Sequence, residues 1–209
     1  MSLQGRVDQF NFMLDNDVLA GTRVSKFLTP EILNRFIEFE GKVPHFYLDG
    51  PGNVTIGIGC VVPTALAATT LNMYFNMSNL KAKLIDISNE YSLIKRGLAG
   101  QSISYYKSIC NLYLPEPEIQ RFFEFRLENL LNLVNLHMPY FKDLPRPAQE
   151  VVVDMAYNLG VSGLIFKFPR FQAALEKQNW TQAAKESKRL GIQDSRNEWA
   201  FNTLNSIEA

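Results

Sequence analysis

Between Pro30 and Glu40, apolar residues recur at Ile32, Phe36 and Ile37, the spacing of a helix with one buried stripe and one wet side. Thr29 is a suitable N-cap, Pro30 sits at the tolerated first position, Glu31 suits the positive end, and Gly41 ends the helix. From 45 to 62 the period drops to two, and "HFYLDGPGNVTIGIGCVV" reads as a small β-hairpin around "DGPGN". Helical patterns resume at about Pro63. Leu80, Leu84, Ile87, Tyr91 and Ile94 predict one face of a helix closed by Gly97. A long helix follows in "PEIQRFFEFRLENLLNLVNLHM", stopped near Pro139. "RPAQEVVVDMAYNLG" predicts a helix ending at an αL Gly160. "NWTQAAKESKRLG" has Asn179 before its first turn and Gly191 after its last, and a terminal helix begins at about Arg196. Residues 1–28 are of mixed character, a short helix with a loop. The expected class is α+β, mostly helical, with one small antiparallel sheet near the N-terminal third.

Composition narrows this only a little. The chain has 209 residues, enough for one domain with a real core, and is 46% apolar and 20% charged. Lys+Arg and Asp+Glu balance at 21 each, so no global field argues for nucleic acid as a partner. No apolar run approaches the roughly 20 residues that span a bilayer, so stable membrane insertion is not expected. The start of the chain lacks the basic and apolar regions of a Sec signal peptide, which implies synthesis in the cytoplasm. The two cysteines and two histidines make no metal-ligand spacing, and no metal or other cofactor is expected. Cys60 and Cys110 read as two buried thiols, with a disulfide open to them only in an oxidising compartment.

The chemistry gathers between Glu38 and Cys60. Glu40 lies three residues after Ile37 and four after Phe36, on the apolar stripe, whereas Glu31, Arg35 and Glu38 lie on the wet side. Desolvation and the negative helix end both disfavour its charged form, and a carboxylic acid that keeps its proton is what a general acid needs. A Glu whose stem packs while its head reaches water fits the same position. Asp49 opens the turn and Thr55 leaves it. Val54, Ile56 and Ile58 share one strand face, and Thr55, Gly57 and Gly59 the other. The second face is nearly bare, a floor on which a ligand has room to lie. Turn initiation by Asp49 and tight packing at the glycines are the structural alternatives. Two carboxyl groups in unlike settings, one with a hydroxyl beside it, are the equipment for hydrolysing a glycosidic bond.

Glu40-Gly41, then Asp49, then "TIGIG" from Thr55 to Gly59, resembles the hallmark of the phage-type lysozyme family, the muramidases typified by phage endolysins. A second match runs through Asp154, Ala156, Tyr157, Asn158 and Gly160 to "NWTQAA" and the "SRN" of Ser195 to Asn197. The resemblance covers roughly residues 29–64 and 141–205. It implies a lysozyme-like two-lobed fold: an extension over 1–28, a catalytic helix and β-hairpin lobe over 29–64, a helical insert over 65–117, and a helical lobe over 118–209, with the glycan cleft between the lobes. It implies Glu40 as general acid and Asp49 with Thr55 as holders of the attacking water, giving inversion. Tyr157 and Asn158 fall where the helical lobe meets the sugar chain. Gly57 and Gly59 floor the hairpin side, and Arg196 falls near a position where the family often has an Arg close to the catalytic Glu.

The implied activity is N-acetylmuramidase cleavage of peptidoglycan glycan strands, with a non-catalytic peptidoglycan-binding module as the alternative and chitin as a milder substrate variant. The chain departs from the family in Cys60, where a His usually follows TIGxG, and in its long insert. Its neutral charge leaves attraction to cell wall to a local set such as Lys167, Arg170, Lys177, Lys185, Lys188 and Arg189, which reads equally well as a solvated helix face. The insert and the "GIQDSRN" ending resemble lysozyme domains of bacterial effectors delivered by type VI-like secretion, which implies action in a target cell's periplasm and an immunity protein as inhibitor. Release as an endolysin fits the same sequence.

Overall fold

The computed structural model describes residues 26–208, so the expectation of a short helix and loop over 1–28 falls almost wholly outside the described residues. What is described is mostly helical with a small antiparallel sheet. It forms two compact units, one reaching Arg126 and one starting at Leu127.

In the first unit, α1 (Pro30–Glu40) leads into β1 (Val43–Leu48), β2 (Val54–Gly57) and β3 (Cys60–Val61), a sheet ordered β1-β2-β3. The hairpin is thus a three-stranded meander. Tyr47 lies opposite Thr55 and Leu48 opposite Val54, and an irregularity breaks the register between Val43 and Tyr47. α1 starts as its sequence dictates: the Thr29 side chain accepts from Ile32 N, and Gly41, at φ 74°, donates its N–H to Ile37 O.

The segment after the sheet forms α2 (Ala65–Ala68), β4 (Tyr74–Phe75), α3 (Leu84–Lys95), α4 (Ile103–Ile109) and β5 (Leu112–Tyr113). It packs on the sheet. Leu114 N donates to Pro44 O at 2.7 Å. Tyr91 meets Phe46 edge-on at 5.9 Å and donates to Val62 O. α3 starts four residues later than the periodicity suggests. Tyr74 pairs with Lys81, Ala82 N bonds Met73 O, and Lys83 N donates to the Asp86 side chain, so the chain is committed to extended pairing before the helix begins. Leu80 and Leu84 are consequently exposed, and the buried face is Ile87, Glu90, Tyr91 and Ile94.

Glu90 is the unexpected member of that face. It is 6% exposed and accepts the backbone N–H groups of Asn111 and Leu112, which ties α3 to the start of β5. Burial pushes its carboxyl above the ordinary range, against the pull of those N–H bonds. Cys60 and Cys110 are both buried thiols, and burial with the nearby Glu90 charge pushes Cys110 up to about 12.

α5 (Glu116–His137) runs from the first unit into the second. The second unit continues with a 3-10 turn (Pro139–Asp143), α6 (Arg146–Leu159), α7 (Val161–Lys167), α8 (Pro169–Glu176), α9 (Trp180–Glu186) and α10 (Asp194–Asn205). Its core is Val151, Val152, Met155, Leu164, Phe171, Leu175 and Ala183, all essentially inaccessible. α6 ends at Gly160 as expected, but at φ 72°, ψ 151°, a glycine-favoured region outside αL. Asn179 caps α9 by accepting from Gln182 N, and α9 ends at Glu186, short of the predicted Gly191. Among the described residues, no helix is long and apolar enough to cross a membrane.

Glu90→Ala leaves the buried Leu112 N–H and the part-buried Asn111 N–H without their acceptor and is expected to cost about 1–3 kcal/mol. Because the folded state raises the Glu90 pKa, the cost should be greatest in acid and fall as pH rises through and beyond the carboxylate range. Urea denaturation of both proteins from pH 4 to pH 7 measures both effects.

Candidate functional site

Glu40 is the last residue of α1 and is half-buried. The buried stripe beside it is Ile32, Phe36 and Phe39. Ile37, read from the sequence as part of that stripe, is only half-buried. Phe36 packs on Phe123 of α5 at 5.2 Å, which fixes the helix against the rest of the first unit. The Glu40 side chain crosses the turn between β2 and β3. A β-carbon on Gly59 would lie 2.7 Å from Glu40 Oε2, 3.1 Å from its Cβ and 3.2 Å from its Cδ. Gly59 also has φ +62°, so its backbone favours glycine independently of the space.

Asp49 sits at the other end of β2, half-buried, at the start of the turn to Asn53. Its Oδ1 accepts Asn53 N at 2.6 Å and its Oδ2 accepts Asn53 Nδ2 at 3.0 Å. Gly52 N donates to Asp49 O, and Gly52 takes φ +84°. Lys95 of α3 donates to Gly52 O at 2.8 Å, bracing the turn from outside. Thr55 donates its hydroxyl to Asn53 O at 3.2 Å.

The bare floor expected at Thr55, Gly57 and Gly59 is covered. Thr55 is 2% exposed, Gly57 is buried, and a β-carbon on Gly57 would meet Ile119 of α5 at 3.5 Å. Gly59 lies under Glu40. The glycines therefore admit neighbouring side chains, which a period of two along one strand cannot reveal.

Two residues here are not singled out by sequence. Asn53 reads only as part of a turn. Tyr47, opposite Thr55 on β1, is half-buried against Tyr106. Burial first, and then the charges of Glu40, Cys60 and Asp49, push its phenol well above the ordinary value. Its place two residues before Asp49, on the same strand face, was the available signal.

The second unit gathers the downstream residues. Asp154 on α6 is buried and accepts from Arg189 Nη2 at 2.7 Å and from Arg196 Nε at 2.9 Å. Arg196 is 2% exposed, so its observed role is in this buried ion-pair cluster and not at an open sugar-binding surface. Arg189 is likewise buried, which removes it from the basic surface set. Lys167, Arg170, Lys177, Lys185 and Lys188 are exposed. Asn197 grips the loop by bonding both Arg189 N and Arg189 O. Tyr157 is half-buried, and Asn158 is exposed, with its Oδ1 at 3.5 Å from Arg189 Nη1.

Among the described residues, no group of three or more His, Cys, Asp or Glu is placed to hold a metal ion. Compared with family models and with curated proteins, the chain matches none.

Gly59→Ala is expected to cost about 1–2 kcal/mol through the positive φ, and to displace the Glu40 carboxyl. Thermal denaturation with a crystal structure of the variant checks both. Asp154→Asn should cost about 3–5 kcal/mol, because two buried guanidinium groups lose their shared anion. Chemical denaturation at neutral pH reads that loss.

Proposed function

We propose that the chain is an N-acetylmuramidase with a lysozyme-like fold, cleaving the β-1,4 bond between N-acetylmuramic acid and N-acetylglucosamine with inversion. The observation that carries this reading is the pair of carboxyl groups served by one small sheet. Glu40 lies across the glycine turn, among packed groups, and Asp49 is held by hydrogen bonds in a polar turn. Unlike settings suit unlike roles.

Glu40 gives its proton to the glycosidic oxygen as the anomeric C–O bond breaks. A water lone pair forms the new bond to the anomeric carbon from the opposite face. The proton of that water passes to Asp49, and Thr55 orients the water. The exposed Asn158 and lysines of the second unit offer polar and cationic groups to an anionic cell wall. The site of action in this reading is the periplasm or cell wall of a target bacterium. An immunity protein covering the carboxylates is the matching inhibitor.

One observation favours a second reading. Both Asp49 oxygens are engaged by Asn53 and Thr55 is almost fully buried, as in a turn with structural work only. On that reading the chain is a non-catalytic peptidoglycan-binding module.

Release of reducing ends from purified sacculi separates the two. Wild type should release them, and Glu40→Gln should lose at least about 100-fold in rate while keeping its fold by circular dichroism. Sacculus binding without release by wild type would favour the binding module. A Glu40→Gln variant as fast as wild type would remove Glu40 from the chemistry.

A further inference from the structure

We infer that Asn53 is the positioning residue of the water-activating pair, setting the hydrogen-bond polarity of both Asp49 and Thr55 at once. The inference rests on the muramidase reading above. Its basis is the set of bonds that meet at this one residue.

Asp49 N donates to Asn53 O at 3.0 Å, which continues the β1–β2 ladder by one step beyond the Leu48–Val54 pair. Asp49 therefore lies opposite Asn53, and Thr55 is its diagonal neighbour on the same face. Diagonal neighbours in a sheet lie about 7–8 Å apart at the backbone with their side-chain ends closer, so a carboxylate and a hydroxyl placed this way can share a water.

Asn53 then decides what each group can offer that water. An ionised carboxylate has about four acceptor sites. The backbone N–H of Asn53 takes one on Oδ1, and its side-chain amide takes one on Oδ2. The plane of the carboxylate is thereby fixed, and the sites that remain are acceptors. Thr55 spends its only donor on Asn53 O, so its oxygen also presents lone pairs.

A water between two acceptors must donate both of its hydrogens, one to Asp49 and one to Thr55. Its own lone pair is then the part left free, and that is the part that must attack the anomeric carbon. If Thr55 instead donated to the water, one of the water's two lone pairs would be engaged and its oxygen made less nucleophilic. Asn53 touches neither sugar nor water in this scheme, only the carboxylate that takes the water's proton. It acts through its neighbours.

Asn53→Asp is the discriminating variant. Aspartate suits a turn as well as asparagine does and keeps the backbone N–H bond to Oδ1. What it loses is the amide donor, and it sets a second negative charge against Asp49. The assay is turnover of soluble peptidoglycan fragments by wild type, Asn53→Asp and Asn53→Ala, with melting temperatures alongside. Positioning predicts that kcat falls at least about tenfold in Asn53→Asp with KM within about twofold of wild type. Asn53→Ala, which lacks both donor and charge, should fall less than Asn53→Asp. It also serves if the aspartate variant does not fold, since its kcat must still drop with KM retained. An active wild type together with an Asn53→Asp variant of unchanged kcat would overturn the inference and leave the muramidase reading intact. An inactive wild type would instead overturn that reading, and this inference with it.

Discussion

Glu40 occupies the space that a side chain at position 59 would need. The end of α1 and the β2–β3 turn approach so closely that one of them must be glycine, and the approach places a carboxyl group against the backbone of the small sheet. Much of the first unit maintains this contact. Thr29 starts α1 in register, Phe36 locks it on Phe123, and Gly41 turns the chain directly into β1. With α1 fixed and the sheet fixed, the Glu40 carboxyl has little freedom to leave.

The segment between the sheet and α5 does more than extend the chain. Its residues close over the sheet: Tyr91 on Phe46, Tyr106 on Tyr47, Leu114 on Pro44, and Lys95 on the outside of the Asp49 turn. Glu90 holds this cover together from within by satisfying the N–H groups of Asn111 and Leu112. A buried carboxylate in that role is costly alone and tolerable once hydrogen-bonded, so the covering segment and the sheet depend on one another. The turn that presents Asp49 is braced by this segment through Lys95.

Sequence periodicity carried the local features well. α1, its caps, the position of Glu40 beside the buried stripe, the DGPGN turn and the long α5 all follow from residues near one another in the chain. Features set by distant partners were not legible. The floor at Gly57 looked open because Ile119, which covers it, lies on another element. Leu80 and Leu84 fit a helical face, yet the pairing of Lys81 with Tyr74 delays the helix and exposes them. Arg189 reads as a surface cation and Arg196 as a neighbour of Glu40, and only the fold brings both to Asp154. Asn53 is the instructive case: its residue type announced a turn, but its link to two candidate catalytic groups needed the register of the hairpin.

The central claim is a chemical one, that Glu40 and Asp49 hydrolyse the bond on the reducing side of N-acetylmuramic acid. The most direct measurement is mass spectrometry of the fragments released from purified peptidoglycan by wild type, after borohydride reduction of the new ends. Muropeptides carrying reduced muramic acid are the expected products. Fragments ending in reduced N-acetylglucosamine, or no fragments at all from protein that binds sacculi, would contradict it.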